Sequence, residues 1–197
     1  MATLPVSRGE DMPPSAAANK ATAAAATAAA MASDAEHEAQ TAEQRVGQAL
    51  SEERMQRTMK LPDCHTLRQP RVVSYSEVGD PNGFVAFFVL GVDSHRYMSL
   101  MFDKPAKARG VRILCLDRPG RGGSSDFEDQ RANRILEFPQ ILRLFCRAAG
   151  IQSFSLVGQS LGACYALRCA QELPDMVATT VYLISPWVPL SAPGSNR

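Results

Sequence analysis

The pentapeptide Gly158-Gln159-Ser160-Leu161-Gly162 joins a hydroxyl nucleophile to small residues two positions on either side. A short apolar run, Ser153–Val157, precedes it, and a helical pattern, Leu161–Glu172, follows. That context predicts a tight strand-to-helix turn with Ser160 at its tip, a nucleophile elbow. The spacing has a steric cause. Strand and helix backbones must approach closely there, and Gly158, Gly162 and Ala163 leave room for it. The helix N-terminus then lies beside the hydroxyl, and the Leu161 amide can face a developing oxyanion. The alternative is a glycine–serine turn that joins the two elements and does no chemistry.

A serine hydroxyl needs a base, and the chain has three histidines, His37, His65 and His95. None follows Ser160, and the only acids after it are Glu172 and Asp175. His95 is the one histidine expected near the turn, with Asp93 as its only neighbouring acid. Surface packing is the expected role for it. Cys164 and Cys169 read as small core residues. No C-x-x-C or other zinc-ligand spacing occurs, so neither a metal nor another cofactor is expected. Arg118, Arg121, Arg131 and Arg134 surround a glycine-rich stretch, but Gly120-Arg121-Gly122-Gly123 lacks the phosphate-loop pattern and reads as a loose turn.

The elements that must position Ser160 alternate. Phe84–Leu90, Val111–Leu116, Ser153–Val157 and Val177–Ile184 are continuous apolar runs, as in strands buried on both faces. Met98–Ala108 and Leu161–Glu172 read as helices. Phe138, Ile141, Leu142, Phe145 and Ala149 fall on one face of another. Thr66–Ser76 reads as a hairpin-like stretch and Asp80-Pro81-Asn82-Gly83 as a turn. The fold class is therefore α/β, a doubly wound, mostly parallel sheet with right-handed crossovers. Gly91-Val92-Asp93 after the first run has no G-x-G-x-x-G, which argues against a dinucleotide site.

Residues 1–60 differ in kind from residues 61–197. Twelve of the seventeen residues from Ala16 to Ala32 are alanine, too little bulky surface for a core. Ser33 and Glu36 form a capping box, and Ala42, Val46 and Leu50 make a thin stripe, so a polar helix is expected over about 34–57. Residues 1–60 thus read as a disordered or helical tail, and 61–197 as the globular part. A net charge of +1 gives no reason to expect a nucleic-acid partner. No apolar run is long enough for a transmembrane helix. Five cysteines without a paired pattern favour a reducing compartment, the cytoplasm.

In sequence order, Phe87–Gly91 (FFVLG), Leu114–Ser124 (LCLDRPGRGGS), Leu156–Gly162 (LVGQSLG) and Val181–Trp187 (VYLISPW) resemble the α/β-hydrolase family over about 62–190. Leu61-Pro62-Asp63, Leu67 and Tyr75–Pro81 resemble the opening of its fungal members. The resemblance implies a serine-hydrolase, esterase-like ancestry with Ser160 as nucleophile and a small ester-like or apolar substrate. It implies Leu161 and Val92 as the oxyanion amides, with Gly158, Gly162 and Gly91 supporting the elbow. Many members carry His-Gly where this chain has Leu90-Gly91. Asp117 in Asp117-Arg118-Pro119-Gly120 is expected to be a structural hydrogen-bonder. By the same resemblance, the acid and the histidine of a triad, two further strands and a cap are missing. The chain therefore reads as an incomplete, C-terminally truncated α/β-hydrolase fold, inactive by itself. The strand at 177–184 becomes an open edge suited to self-association. The competing reading is a non-catalytic module that binds a ligand or a partner.

Overall fold

Three runs rich in apolar residues, FVAFFV, VRILCL and FSLVGQ, become neighbouring strands, buried on the face that carries α3 and α4 and partly open on the other. The computed structural model describes residues 28, 31–32, 35, 38, 41–62, 71–127 and 133–188. The chain divides into two compact units, Met1–Gly47 and Gln48–Arg197. Every described position of the first unit is helical, and that helix, α1, is continuous over 41–51.

The second unit holds one six-stranded sheet: β1 (Arg57–Lys60), β2 (Val72–Gly79), β3 (Phe84–Val89), β4 (Val111–Leu116), β5 (Phe154–Gln159) and β6 (Val177–Ile184). Their spatial order is β1-β2-β4-β3-β5-β6. The β1–β2 and β2–β4 pairs are antiparallel; β4–β3, β3–β5 and β5–β6 are parallel. The parallel crossovers contain α2 (Asp103–Lys107), α3 (Arg134–Ala149) and α4 (Gly162–Glu172). From β3 the chain steps outward to β4, then returns to the other side of β3 to lay down β5. The sheet reverses direction between β3 and β5, and a crevice at the carboxyl ends of such strands is where open α/β sheets bind ligands.

One face of the sheet carries the main core. Phe87, Leu114, Phe154 and Leu156 meet Phe138, Ile141, Leu142 and Phe145 of α3 and Tyr165, Ala166 and Cys169 of α4, all buried. Phe145 stands edge-on to Tyr75 at 4.9 Å and to Phe87 at 5.9 Å. The period of the α3 stripe is what delivers these side chains to the sheet. Asn133 caps the helix by accepting from the Ile135 and Leu136 amides at 3.1 and 3.3 Å. Gly150 ends it at φ +69°. The opposite face has a smaller cluster, Phe88, Leu90 and Cys115, with Phe102 edge-on to Phe88 at 5.1 Å. Burial pushes the thiols of Cys146 and Cys169 up to about 12, so both are inert apolar fillers.

Two expectations need correction. The helix expected to about residue 57 ends at residue 51, and Arg57–Lys60 is a strand paired to β2. Met55, fully buried, lies five residues after Leu50, off the helical stripe, in a 3-10 turn (Glu53–Met55), and Met59 lies in the strand. The span Met98–Ala108 is a 3-10 turn, Arg96–Phe102, followed by the short helix α2. Of the hairpin-like stretch at 66–76, residues 66–70 lie outside the described residues; the rest enters β2. β6 is the outermost strand on its side of the described sheet, with Tyr182, Leu183 and Ile184 exposed. Among the described residues no helix is long and apolar enough to cross a membrane.

An ion pair locks the turn before β1 to α2. Arg54 donates to both oxygens of Asp103 at 2.7 and 3.0 Å, and Asp103 also accepts from the Gly79 amide at 2.8 Å. These bonds, Arg54 first, hold the Asp103 carboxyl below its ordinary range against the opposing effect of burial. A depressed native pKa gives stability that is full above the unfolded value of about 4 and is lost as pH falls through the native one. Asp103→Asn should therefore lower the melting temperature at pH 7 and flatten its fall below about pH 4, as read by circular dichroism melts across pH. Phe145→Ala should cost about 3–5 kcal/mol in urea unfolding, because two edge-on ring contacts and the centre of the α3 interface go together.

Candidate active site

At the carboxyl end of β5 the chain turns into α4 within two residues, and Ser160 makes that turn at φ +52°. A left-handed serine is strained, by about 1–3 kcal/mol, and persists only where its surroundings over-determine it. Here they do. The Ser160 amide donates to the Ile184 carbonyl at 3.0 Å. Its own carbonyl accepts from the amides of Ala163 and Trp187 at 3.0 and 3.1 Å. The small neighbours are required as well. A Cβ on Gly158 would lie 2.7 Å from the Ala163 Cα, and one on Gly162 would lie 2.0 Å from the Val89 carbonyl oxygen.

Two further non-glycine residues have positive φ, Asp93 at +54° and Ser185 at +44°. The three follow β3, β5 and β6, so among the described residues all non-glycine left-handed strain is gathered at the carboxyl ends of neighbouring strands. This is the same end at which the sheet order reverses.

Gly91, after β3, lies against Ser160: a Cβ there would come within 2.9 Å of the Ser160 Cβ. The structure thus brings together Gly91, Gly158, Ser160, Leu161 and Gly162 from two segments. The Leu161 and Val92 amides donate to no described residue, and Val92 is exposed. No described residue hydrogen-bonds to the Ser160 hydroxyl.

His95 is not beside a carboxylate. It is exposed, edge-on to Tyr97 at 5.3 Å, and Asp93 pairs instead with Arg121 at 3.0 Å. His37 and His65 lie outside the described residues. Glu172 pairs with Arg168 at 2.6 Å, and Asp175 with Arg143 at 2.9 Å. Glu172 ends α4, about 15 Å along the helix from the turn. Cys164 is half-buried, its Sγ 3.9 Å from the Trp187 carbonyl. The arginines around the glycine-rich loop form no cradle. Arg134 holds Asp126 at 3.0 Å, Arg121 holds Asp93, Arg118 turns inward, and Arg131 lies outside the described residues.

Asp117 is fully buried in a network that fits the structural role expected of it. It accepts from the Ser74 hydroxyl at 2.7 Å and the Arg96 amide at 2.9 Å, and pairs with the Arg96 guanidinium. That guanidinium also donates to the Met55 carbonyl at 3.0 Å, Gln56 Oε1 at 2.9 Å and the Tyr97 hydroxyl at 2.7 Å. Gly122 is required here, since a Cβ would sit 2.0 Å from Asp117 Oδ2.

Two residues that the sequence places only in the pentapeptide and in the basic cluster, Gln159 and Arg118, hold the Gly91 loop. Gln159 Oε1 accepts from the Gly91 amide at 3.2 Å, and the buried Arg118 guanidinium donates to the Gly91 carbonyl. Arg118 also lies over the Tyr165 ring, 5.4 Å from its centroid. The one available signal was Leu90, which replaces the histidine common at that strand end and leaves the loop to be anchored from elsewhere.

Comparisons with known proteins agree with this architecture. The sequence profile of the alpha/beta hydrolase fold matches residues 82–194. A search of curated proteins finds no significant match. Among solved structures, a hypothetical protein from Pseudomonas aeruginosa is similar at 21% identity and TM-score 0.55, covering 71% of this chain and 46% of its own. Epoxide hydrolase from Vigna radiata is similar at 19% identity and TM-score 0.57, with 68% and 39% covered. The thioesterase domain from the curacin biosynthetic pathway is similar at 21% identity and TM-score 0.57, with 70% and 49% covered. The chain spans less than half the length of each of these three. A profile match over more than half of the chain, on a sheet with this strand order, makes the protein a member of the alpha/beta hydrolase fold family.

Proposed function

We propose that Ser160 is the nucleophile of a serine hydrolase of esterase type. The observation that carries this is the strained Ser160 turn, flanked by two amides, Leu161 and Val92, that donate to no described residue. The hydroxyl oxygen attacks the carbonyl carbon of an ester-like, apolar substrate, and the carbonyl oxygen becomes an oxyanion facing the two amides. The thioesterase named among the structural neighbours acts, by its name, on a bond of this kind. Nearness to fungal members rests only on the residues before β3.

The proton of the hydroxyl is the missing part. No histidine follows Ser160, and His95 points its ring at Tyr97. Acid–base help must come from outside the described residues. With such help the serine proton leaves on the departing alcohol or thiol as the Ser160 acyl ester forms; without it acylation is slow and, since no described residue activates water, the ester is not hydrolysed. We place the protein in a reducing compartment such as the cytoplasm, on its free thiols Cys115, Cys146, Cys164 and Cys169.

A fluorophosphonate probe and a chromogenic ester test this. Wild type should bind one probe per chain and release at most one product per chain, Ser160→Ala should do neither, and His95→Ala should match wild type. Loss of labelling in His95→Ala would show that a base operates beside Ser160 within this chain. Repeated turnover that survives Ser160→Ala would end the assignment of Ser160.

A second reading is a non-catalytic binding module. It is favoured by a groove of about 400 Å³ on the sheet face away from α3 and α4, lined by Phe88, Phe102, Ile113, Val157 and Ile184 and bordering the exposed side of β6. Its occupant would be an apolar ligand, or a second copy through the β6 edge. A fluorescent fatty acid should then bind wild type and Ser160→Ala alike and lose at least tenfold in affinity in Val157→Asp, with sedimentation reporting any self-association. Equal binding by Val157→Asp would remove the groove from consideration.

A further inference from the structure

Gly91 and Val92 share one peptide group: the Gly91 carbonyl and the Val92 N–H are its two ends. A trans peptide is planar, so its C=O and N–H point in opposite directions and turn together. Whatever holds the Gly91 oxygen therefore aims the Val92 hydrogen. Arg118, buried beside Tyr165, donates to that oxygen. Gln159 accepts from the Gly91 N–H at 3.2 Å and holds the preceding peptide. The Ser94 amide approaches the same Gly91 oxygen at 3.4 Å, closing a turn whose third residue, Asp93, has φ +54°.

We propose that Arg118 and Gln159 are positioning residues that lock the Gly91–Val92 peptide with its carbonyl inward and its N–H at Ser160. The proposal rests on the reading of Val92 as an oxyanion donor. Without the lock, the peptide can rotate and present a carbonyl oxygen where the N–H should be, which replaces attraction for an oxyanion by repulsion. Arg118 contributes a second effect. A cation bonded to the oxygen end of an amide draws electron density from nitrogen and strengthens the N–H as a donor. Gln159 links the lock to the nucleophile, since it immediately precedes Ser160: the residue that places the hydroxyl also restrains the loop bearing the second amide. The histidine that many relatives carry before the loop glycine is thus unnecessary for anchoring this loop.

The test uses the full chain with two independent readouts. The first is amide hydrogen exchange of Gly91 and Val92 together with their amide chemical shifts. The second is the rate of Ser160 phosphonylation by a fluorophosphonate. Arg118→Met and Gln159→Met remove the bonding atoms at similar volume; Arg118→Lys and Gln159→Glu keep a donor and an acceptor in place. Both methionine variants should speed Gly91 exchange at least tenfold and move the Val92 shift. They should slow phosphonylation by about 100-fold, the usual loss of one oxyanion donor. The lysine and glutamate variants should recover to within about tenfold of wild type. Amides of the α3 core should exchange as in wild type, which separates a local lock from general destabilisation.

Unchanged Gly91 exchange and Val92 shift in folded Gln159→Met and Arg118→Met overturn the lock. Should Arg118→Met fail to fold, Gln159→Met, at a half-exposed position, decides. A wild type that is never labelled, or is labelled equally in Ser160→Ala, defeats the nucleophile reading; the exchange readout then still decides the lock by itself.

Discussion

Two consecutive residues at the end of β4 hold both ends of the exposed loop that faces Ser160. Asp117 accepts from the Arg96 amide and pairs with its side chain; Arg118 donates to the Gly91 carbonyl. Between these clamps lie Val92, Asp93, Ser94 and His95, held in addition by the Asp93–Arg121 pair, the Ser94 amide on Gly91 and the His95–Tyr97 contact. The Arg96–Asp117 pair is expensive in principle, since removing two charges from water costs several kcal/mol per ion. It persists because every face of it is bonded. Asp117 receives Ser74 and the Arg96 amide, and Arg96 gives hydrogen bonds to Met55, Gln56 and Tyr97. The pair thereby joins β2, β4, the loop after β3 and the turn before β1. Removing one partner would leave an uncompensated buried charge and release four segments at once.

This node explains why the site stands where it does. The doubly wound order puts the carboxyl ends of β3 and β5 side by side, which creates a crevice but does not shape it. Shape comes from close approach. Gly162 lets α4 begin against the Val89 carbonyl, Gly158 lets it pack back on β5, and Gly91 lets the β3 loop reach the Ser160 Cβ. Each contact would be broken by a single methyl group. The left-handed turn of Ser160 is then imposed by bonds to Ile184, at the end of β6, and to Trp187 just beyond it, so the strain is balanced largely from the sheet.

The legibility of the sequence follows the range of the interactions involved. The strand-to-helix turn at Ser160 is readable because its rule is local: small residues two positions either side of a serine, between an apolar run and a helical pattern. β3 to β6 are readable because their residues form short, nearly continuous apolar runs, and the α3 stripe because its period is unmistakable. β1 is not, because its four residues, Arg57–Lys60, carry a single apolar side chain, Met59, too few to show a strand period. The clamps are not readable at all. Arg118 to Gly91 spans 27 residues, Gln159 to Gly91 spans 68, and the Arg96–Asp117 pair spans 21. An arginine in a glycine-rich stretch looks like a solvated charge until the fold shows it buried against a tyrosine. The structural role of Asp117 is what the resemblance of Asp117-Arg118-Pro119-Gly120 to the family's strand-end turn implies; its partner Arg96 is not.

The same contrast separates the two halves of the chemistry. An oxyanion site is made of backbone groups, so it depends on where the chain runs, and here everything that aims those groups lies between β2 and the residues just after β6. A general base is a single side chain that needs only to reach the hydroxyl, and it can come from anywhere the chain or a partner brings it. His95 shows why proximity in sequence to the site is not enough: it follows the Val92 loop directly, yet its ring packs on Tyr97 and its neighbour Asp93 answers to Arg121. Charge stabilisation without proton transfer still lowers the barrier, because fixed N–H groups cost no reorganisation when the oxyanion forms. On the proposed reading this region holds the oxyanion with backbone groups alone, and the base would decide whether the serine can form one repeatedly.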